Sequence, residues 1–149
     1  MLADFAVQLV ERTAKARQDF AAARREPVDT GRFRSLGLAY VRWAMRNPTH
    51  FEILSSRRFF DHDKAAGVSA DNAELIELTE RTLAEAFAQG QLRSGNLKAV
   101  QIAGRALVYG FARMNIDGHF PRWGVAEPEA ERTAEAIIDL FIEGIAKRA

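Results

Sequence analysis

LKAVQIAGRALVYGFARMNI, residues 97–116, is the stretch whose reading decides the fold. Set on a helix at about 100° per residue, it has almost no polar face. Val100, Leu107, Phe111 and Met114 fall on one side, and Ile102, Ala106, Tyr109 and Ile116 on the other. Val108 and Ala112 lie between them, and Ala103 and Gly110 fill much of the rest; Gln101, Arg105, Arg113 and Asn115 interrupt the pattern. A helix apolar nearly all round belongs in a large core or in a membrane. Its charges and its length of only about 20 residues argue against a membrane span. In a chain of 149 residues, neighbouring helices can cover one wall of such a helix. The other wall is most simply covered by a second subunit or a ligand.

The flanking segments are helical as well, because apolar residues recur at three- and four-residue steps and nowhere alternate as in a strand. Upstream, Asn96 is placed to cap the central helix after the turn Ser94-Gly95-Asn96. Before it, Leu75, Ile76, Thr79, Leu83, Ala86 and Phe87 predict a helix over about Asn72–Gln89, capped by Asp71 or Ser69. Gly90 followed by Leu92 suits a left-handed C-cap. Phe33, Leu36, Gly37, Tyr40, Val41 and Ala44 define a buried stripe on a helix from Gly31 to Asn47, capped by Asp29 or Thr30, with Trp43 at the stripe's edge. Asn47-Pro48 stops it, because the residue before proline avoids the helical region. Pro48 then opens a short helix, roughly Thr49–Arg58, with Phe51 inward. The first helix spans about Leu2–Arg25, with nothing before Leu2 to cap it.

Downstream, Asp117-Gly118 ends the central helix, and His119–Glu127 reads as a loop. Pro128 starts the last helix, which reaches about Lys147. On it Ile137, Ile138, Leu140, Phe141, Ile142 and Ile145 cover an arc of roughly 200°, wider than the ~100° stripe that faces a single core. Both closing helices therefore carry more apolar surface than one small globule hides. Ile102, Arg105, Ala112, Ile116, Ile138, Phe141, Ile142 and Ile145 are the candidate contacts with a second copy of the chain.

Composition bounds the rest. The length fits one domain, residues 1–149. A net charge of +1 gives no bulk attraction to nucleic acid or an anionic membrane. The absence of cysteine excludes disulfides and thiolate metal sites and fits a reducing, cytoplasmic setting. The N-terminus lacks the basic start and apolar run of a signal peptide. His50, His62 and His119 form no helical zinc pair. Asp61-His62-Asp63 is the one cluster able to hold a metal, and its setting reads as a solvated loop. Ser55-Ser56 has no nucleophile elbow around it. The glycines form no phosphate-binding loop. No catalytic residue, metal site or cofactor is expected. Aromatic residues instead converge, and Tyr40, Trp43, Phe51, Phe59, Phe87, Leu107, Tyr109 and Phe111 are the candidate lining of an apolar ligand pocket. Tyr40 and Tyr109 could supply polar handles there. Arg105 and Arg113 could meet an acidic ligand or lie as surface charges.

These pieces, in this order, resemble a known family. Gln89-Gly90-Gln91-Leu92, Ser94-Gly95-Asn96, Arg105 to Ala112 and Asp117-Gly118 resemble the regulatory domain of TetR-family transcriptional regulators. The likeness is greatest to the subgroup with a Trp-x-x-x-His-Gly pattern in its penultimate helix. Leu38 to Ala44, Asn47-Pro48 and Phe51 fit the same subgroup. Arg105 stands where that pattern has Trp and Tyr109 where it has His, while Gly110 is retained, so no role of the Trp or His carries over.

The resemblance implies an all-α fold of six helices, the last two forming a four-helix bundle with a dimer mate. It implies an effector-sensing and dimerisation domain of a one-component repressor, with a small, largely apolar effector, a homodimer and no membrane partner. Operator DNA would be met only through an N-terminal helix-turn-helix head, to which nothing in this sequence corresponds. The first helix resembles the connector that follows such a head. A stand-alone module that titrates a full-length relative is the alternative.

Overall fold

The computed structural model describes residues 30–55 and 66–148. The expected helix Leu2–Arg25, the candidate pocket residue Phe59 and the Asp61-His62-Asp63 cluster lie outside the described residues. Among the described residues there are five α-helices and no strand: α1 (Thr30–Arg46), α2 (Pro48–Ser55), α3 (Ala66–Ala88), α4 (Leu97–Ile116) and α5 (Ala130–Ile145). None is long and apolar enough to cross a membrane.

Local chemistry sets most of the boundaries. The Asn96 side chain accepts from the Ala99 N–H at 3.2 Å, closing one of the orphan donors at the start of α4. Gly90 ends α3 at φ +74°, and the Gln91 N–H returns to the Ala86 carbonyl at 3.0 Å. The glycine is needed because a Cβ disfavours that backbone region. Gly118 (φ +68°) ends α4 in the same way. Two expectations need correction. Helix α3 begins at Ala66 rather than near Asn72, so Ser69 and Asp71 lie within the helix instead of capping it. The expected loop after α4 holds two 3₁₀ turns, Phe120–Trp123 and Glu127–Glu129, where Pro121 and Pro128 fix φ close to helical values.

The most enclosed helix is α1 rather than α4. It packs on α2, α3, α4 and α5, and of the residues from 31 to 46 only Arg46 is exposed. Its stripe is buried as the spacing requires, with Leu36, Val41 and Ala44 at 3% exposure or less. Its polar edge is covered too, because its arginines meet acids on the neighbouring helices. Arg34 pairs with Asp139, and Arg42 reaches Glu131 and Glu135 at 2.8 Å each. Arg32 lies 3.9 Å from Glu85.

Helix α4 has a dry wall and a wet one. Val100, Gly104, Val108, Phe111 and Ala112 are buried, Phe111 against Phe120 with ring centroids 4.7 Å apart. On the opposite wall Ala99, Ile102, Ala103 and Ala106 are exposed. Helix α5 repeats the division: Ala134 and Ile138 are buried, whereas Ala136, Leu140 and Gly144 face outward. The chain after α3 closes on the end of α5, through Arg93 N–H to the Ile145 carbonyl (3.0 Å) and Lys147 N–H to the Gln91 carbonyl (2.7 Å).

Candidate functional site

Helices α1, α3, α4 and α5 form a half-open cavity of about 500 Å³. Helical spacing explains its walls. Phe33, Gly37 and Tyr40 stand at i, i+4 and i+7 on α1, beside Leu36. Lys98, Gln101, Arg105 and Val108 stand at steps of three and four on α4, with Ile102, Gly104 and Leu107. Helix α3 supplies Leu75, Ile76 and Thr79, and α5 supplies Ile138, Phe141 and Ile142. A space of this size, mostly apolar with a few polar groups, suits a small organic molecule.

One glycine lets these helices close in. A Cβ at Gly104 would lie 2.9 Å from Phe33 Cζ and 3.5 Å from a Phe141 ring carbon, so the bare backbone is what admits the Phe33 ring. A Cβ at Gly37 would make ordinary contacts with Val108 and Ile138.

The polar groups on the α3 side answer one another. Gln101 Nε2 donates to Thr79 Oγ1 at 2.7 Å and to the Ile76 carbonyl at 3.0 Å. Lys98 Nζ donates to Gln101 Oε1 at 2.9 Å and pairs with Glu80. Arg105 is held differently. Its guanidinium carbon lies 4.4 Å from the Tyr40 ring centroid and 5.7 Å from that of Tyr109, a stacking contact open to arginine. Burial pushes the Tyr40 phenol above its ordinary pKa of 10.0; the charge and hydrogen bond of Arg105 oppose that rise, and Tyr109 adds to it.

The residues nominated from sequence fall into separate groups. Tyr40 and Leu107 line the cavity. Tyr40, Trp43, Phe51 and Tyr109 form an aromatic cluster around the buried Phe51, with centroids 5.6 Å apart for Phe51 and Tyr109 and 6.2 Å for Tyr40 and Phe51. Trp43, Phe51 and Tyr109 thus abut the cavity's Tyr40 end rather than line it. Phe111 is core. Phe87 is 44% exposed and covers Gly95.

The residues nominated for a dimer contact also divide. Ala112 and Ile138 are buried within the protomer at 1% and 3% exposure, which leaves them no free surface to offer. Ile102, Arg105, Ile138, Phe141 and Ile142 line the cavity. Ile116 packs against the Phe51 cluster, and Ile145 against the core between α3 and α4. Arg113 is engaged by Asp117 at 2.7 Å and Glu52 at 3.8 Å, and it does not line the cavity. Sequence reasoning missed Phe33, Leu36, Gly37, Leu75, Ile76, Thr79, Lys98, Gln101, Gly104 and Val108. The signal was present for one of them: Gln101 and Arg105, one turn apart, are the polar breaks on one face of an otherwise apolar helix.

The profile described as Tetracyclin repressor-like, C-terminal domain, matches residues 33–141. No curated protein matches the chain. A solved structure of a protein with unknown function from Rhodococcus sp. RHA1 shares the fold, with a TM-score of 0.69 at 19% identity over 93% of this chain and 71% of that one. The matched span covers α1 through α4 and most of α5, which are the helices that build both the cavity and the wet walls. The chain belongs to the family of tetracyclin repressor-like C-terminal domains, the ligand-binding and dimerisation part of such regulators.

Proposed function

We propose that residues 1–149 form a single effector-sensing and dimerisation domain of a one-component repressor. A small, largely apolar molecule occupies the cavity between α1, α3, α4 and α5. Two copies join through the outward faces of α4 and α5, an isologous contact in which each copy presents the same patch. DNA is read by a helix-turn-helix head in the intact regulator, and effector binding changes the spacing of two such heads.

One observation carries this reading: the cavity and the uncovered apolar faces share the same two helices. Residues on one side of α4 line the cavity, and Ala99, Ala103 and Ala106 on its other side are exposed. A ligand that fits one arrangement of α4 and α5 better than another shifts the population between them, and only such differential affinity can do so. The shift is then felt at the dimer contact.

The test is a thermal-shift screen of the purified chain against a broad set of apolar compounds, repeated on Leu75→Trp, which places an indole in the cavity. Stabilisation by a compound class in the native chain, reduced in the variant, is the expected result. A native chain that no compound stabilises counts against the proposal.

A further inference from the structure

The effector reading leaves the chemical class of the ligand open, and the sorting of polar groups around the cavity narrows it. We infer that the cavity takes an amphipathic carboxylic acid, its apolar body lying between α1, α4 and α5 and its carboxylate held at the mouth by Arg105. This rests on the effector-cavity reading above.

Charge comes first. Among the described residues no Asp or Glu lines the cavity, whereas Lys98 and Arg105 both do. Lys98 is neutralised by Glu80. Arg105 has no carboxylate partner among the described residues; its contacts there are the ring of Tyr40, with its phenol, and the ring of Tyr109. A guanidinium stacked on a ring keeps most of its five in-plane N–H donors directed outward, in the fork that a carboxylate matches with two parallel hydrogen bonds. The contacts with two tyrosine rings restrict the side chain before any ligand arrives, so less side-chain freedom is lost on binding.

Position comes second. Arg105 is exposed, and Ile102 beside it is 60% exposed, whereas Leu36 and Ile138 in the cavity's walls are only 3% exposed. The cation therefore sits where the apolar space meets solvent. An amphipathic molecule entering tail first keeps its head partly hydrated, which avoids the cost of burying a charge. Magnitude of charge comes third. One guanidinium without a carboxylate partner among the described residues balances one carboxylate, whereas a phosphate monoester carries about −1.5 to −2 at pH 7 and would remain unbalanced.

The experiment is calorimetric titration of the purified chain with two matched pairs, decanoate against decanol and naphthoate against naphthol. Arg105→Gln and Arg105→Lys are measured beside the native chain, with circular dichroism to check folding. The native chain should bind the acid of at least one pair about tenfold or more tighter than its alcohol, equivalent to about 1.4 kcal/mol. Arg105→Gln should bring the acid and its alcohol to within about twofold of each other, and Arg105→Lys should keep part of the preference, since its ammonium is a point charge without the fork. Equal binding of acid and alcohol, or a preference that survives Arg105→Gln, overturns the inference and leaves the effector cavity standing. Failure of all four compounds to bind the native chain also overturns the inference, while the effector cavity itself stands or falls with the broad thermal-shift screen.

Discussion

Tyr40 is where the cavity, the aromatic cluster and the Arg105 guanidinium meet, and its titration reports on all three. Its folded pKa is raised, chiefly by burial, so the protonated phenol is the form that the fold favours. The stability this contributes is complete below the unfolded value near 10 and is lost as pH rises through the higher folded value. Arg105 pulls the other way, so Arg105→Gln should move Tyr40 further up. An ultraviolet absorbance titration should show a late-titrating tyrosine in the native chain that titrates later still in the variant; an earlier titration would contradict the stacking. Glycines at this scale give opposite signs. Gly104→Val drives branches into the Phe33 ring and should cost about 1–3 kcal/mol by overpacking. A methyl at Gly110 meets nothing within 4 Å, so Gly110→Ala should stabilise the protomer by about 0.5–1 kcal/mol. Chemical denaturation measures both. The site was legible in sequence only as far as residue chemistry goes. Tyr40 and Leu107 could be nominated because an apolar stripe and a phenol show in the letters. Arg105 went to the dimer face because a helical wheel gives a residue's angle, not the neighbour that covers it. Thr79 and Gln101 meet across 22 residues of sequence, a contact that no local pattern encodes.

Elements were more legible than sites, because caps and breakers are local chemistry. Asn96, Gly90, Gly118 and Asn47-Pro48 each end or begin a helix where their side chains or φ preferences demand. The start of α3 escaped notice because Ser69 and Asp71 favour a cap, yet here the helix begins at Ala66 and runs through both. Enclosure of α1 was missed for a different reason. Its apolar stripe shows in the spacing, but the cover on its polar edge comes from Arg34 and Arg42 meeting acids of α5 that are distant in sequence. Asn96→Ala removes the cap of α4 and should cost about 1 kcal/mol, read as a fall in the denaturation midpoint. The pairs between α1 and α5 are partly exposed, and each is worth roughly 0–1 kcal/mol. Asp139 has a depressed pKa, first through its hydrogen bond from Arg34. A depressed carboxylate stabilises the fold above its unfolded pKa and ceases to do so as pH falls through the folded value. Asp139→Asn should therefore lower stability near neutrality and flatten the loss between about pH 5 and the acid limit, which thermal melts over that range would reveal.

On the scale of the molecule, the question is what covers the outer walls of α4 and α5. Ala99, Ala103 and Ala106 are small, so the backbone of α4 lies within reach of a partner helix, and Leu140 stands 68% exposed on α5. Exposed alanines cost a monomer little; an exposed leucine flanked by Ala136 and Gly144 forgoes about 1.5–3 kcal/mol of burial. In a two-fold dimer each substitution acts twice, so Leu140→Glu removes roughly 3–6 kcal/mol of association free energy and places two carboxylates in an apolar seam. The protomer loses nothing, because Leu140 supports no internal contact of consequence at that exposure, and its own stability should stay within about 0.5 kcal/mol of the native value. Light scattering at micromolar concentration should give a dimer for the native chain and a monomer for Leu140→Glu, with unchanged circular dichroism. Ala106→Glu, on the other helix of the pair, should do the same. If both variants keep the mass of the native chain, the seam lies elsewhere. The coupling between cavity and partner would then need a route that does not pass through the outer walls of these two helices.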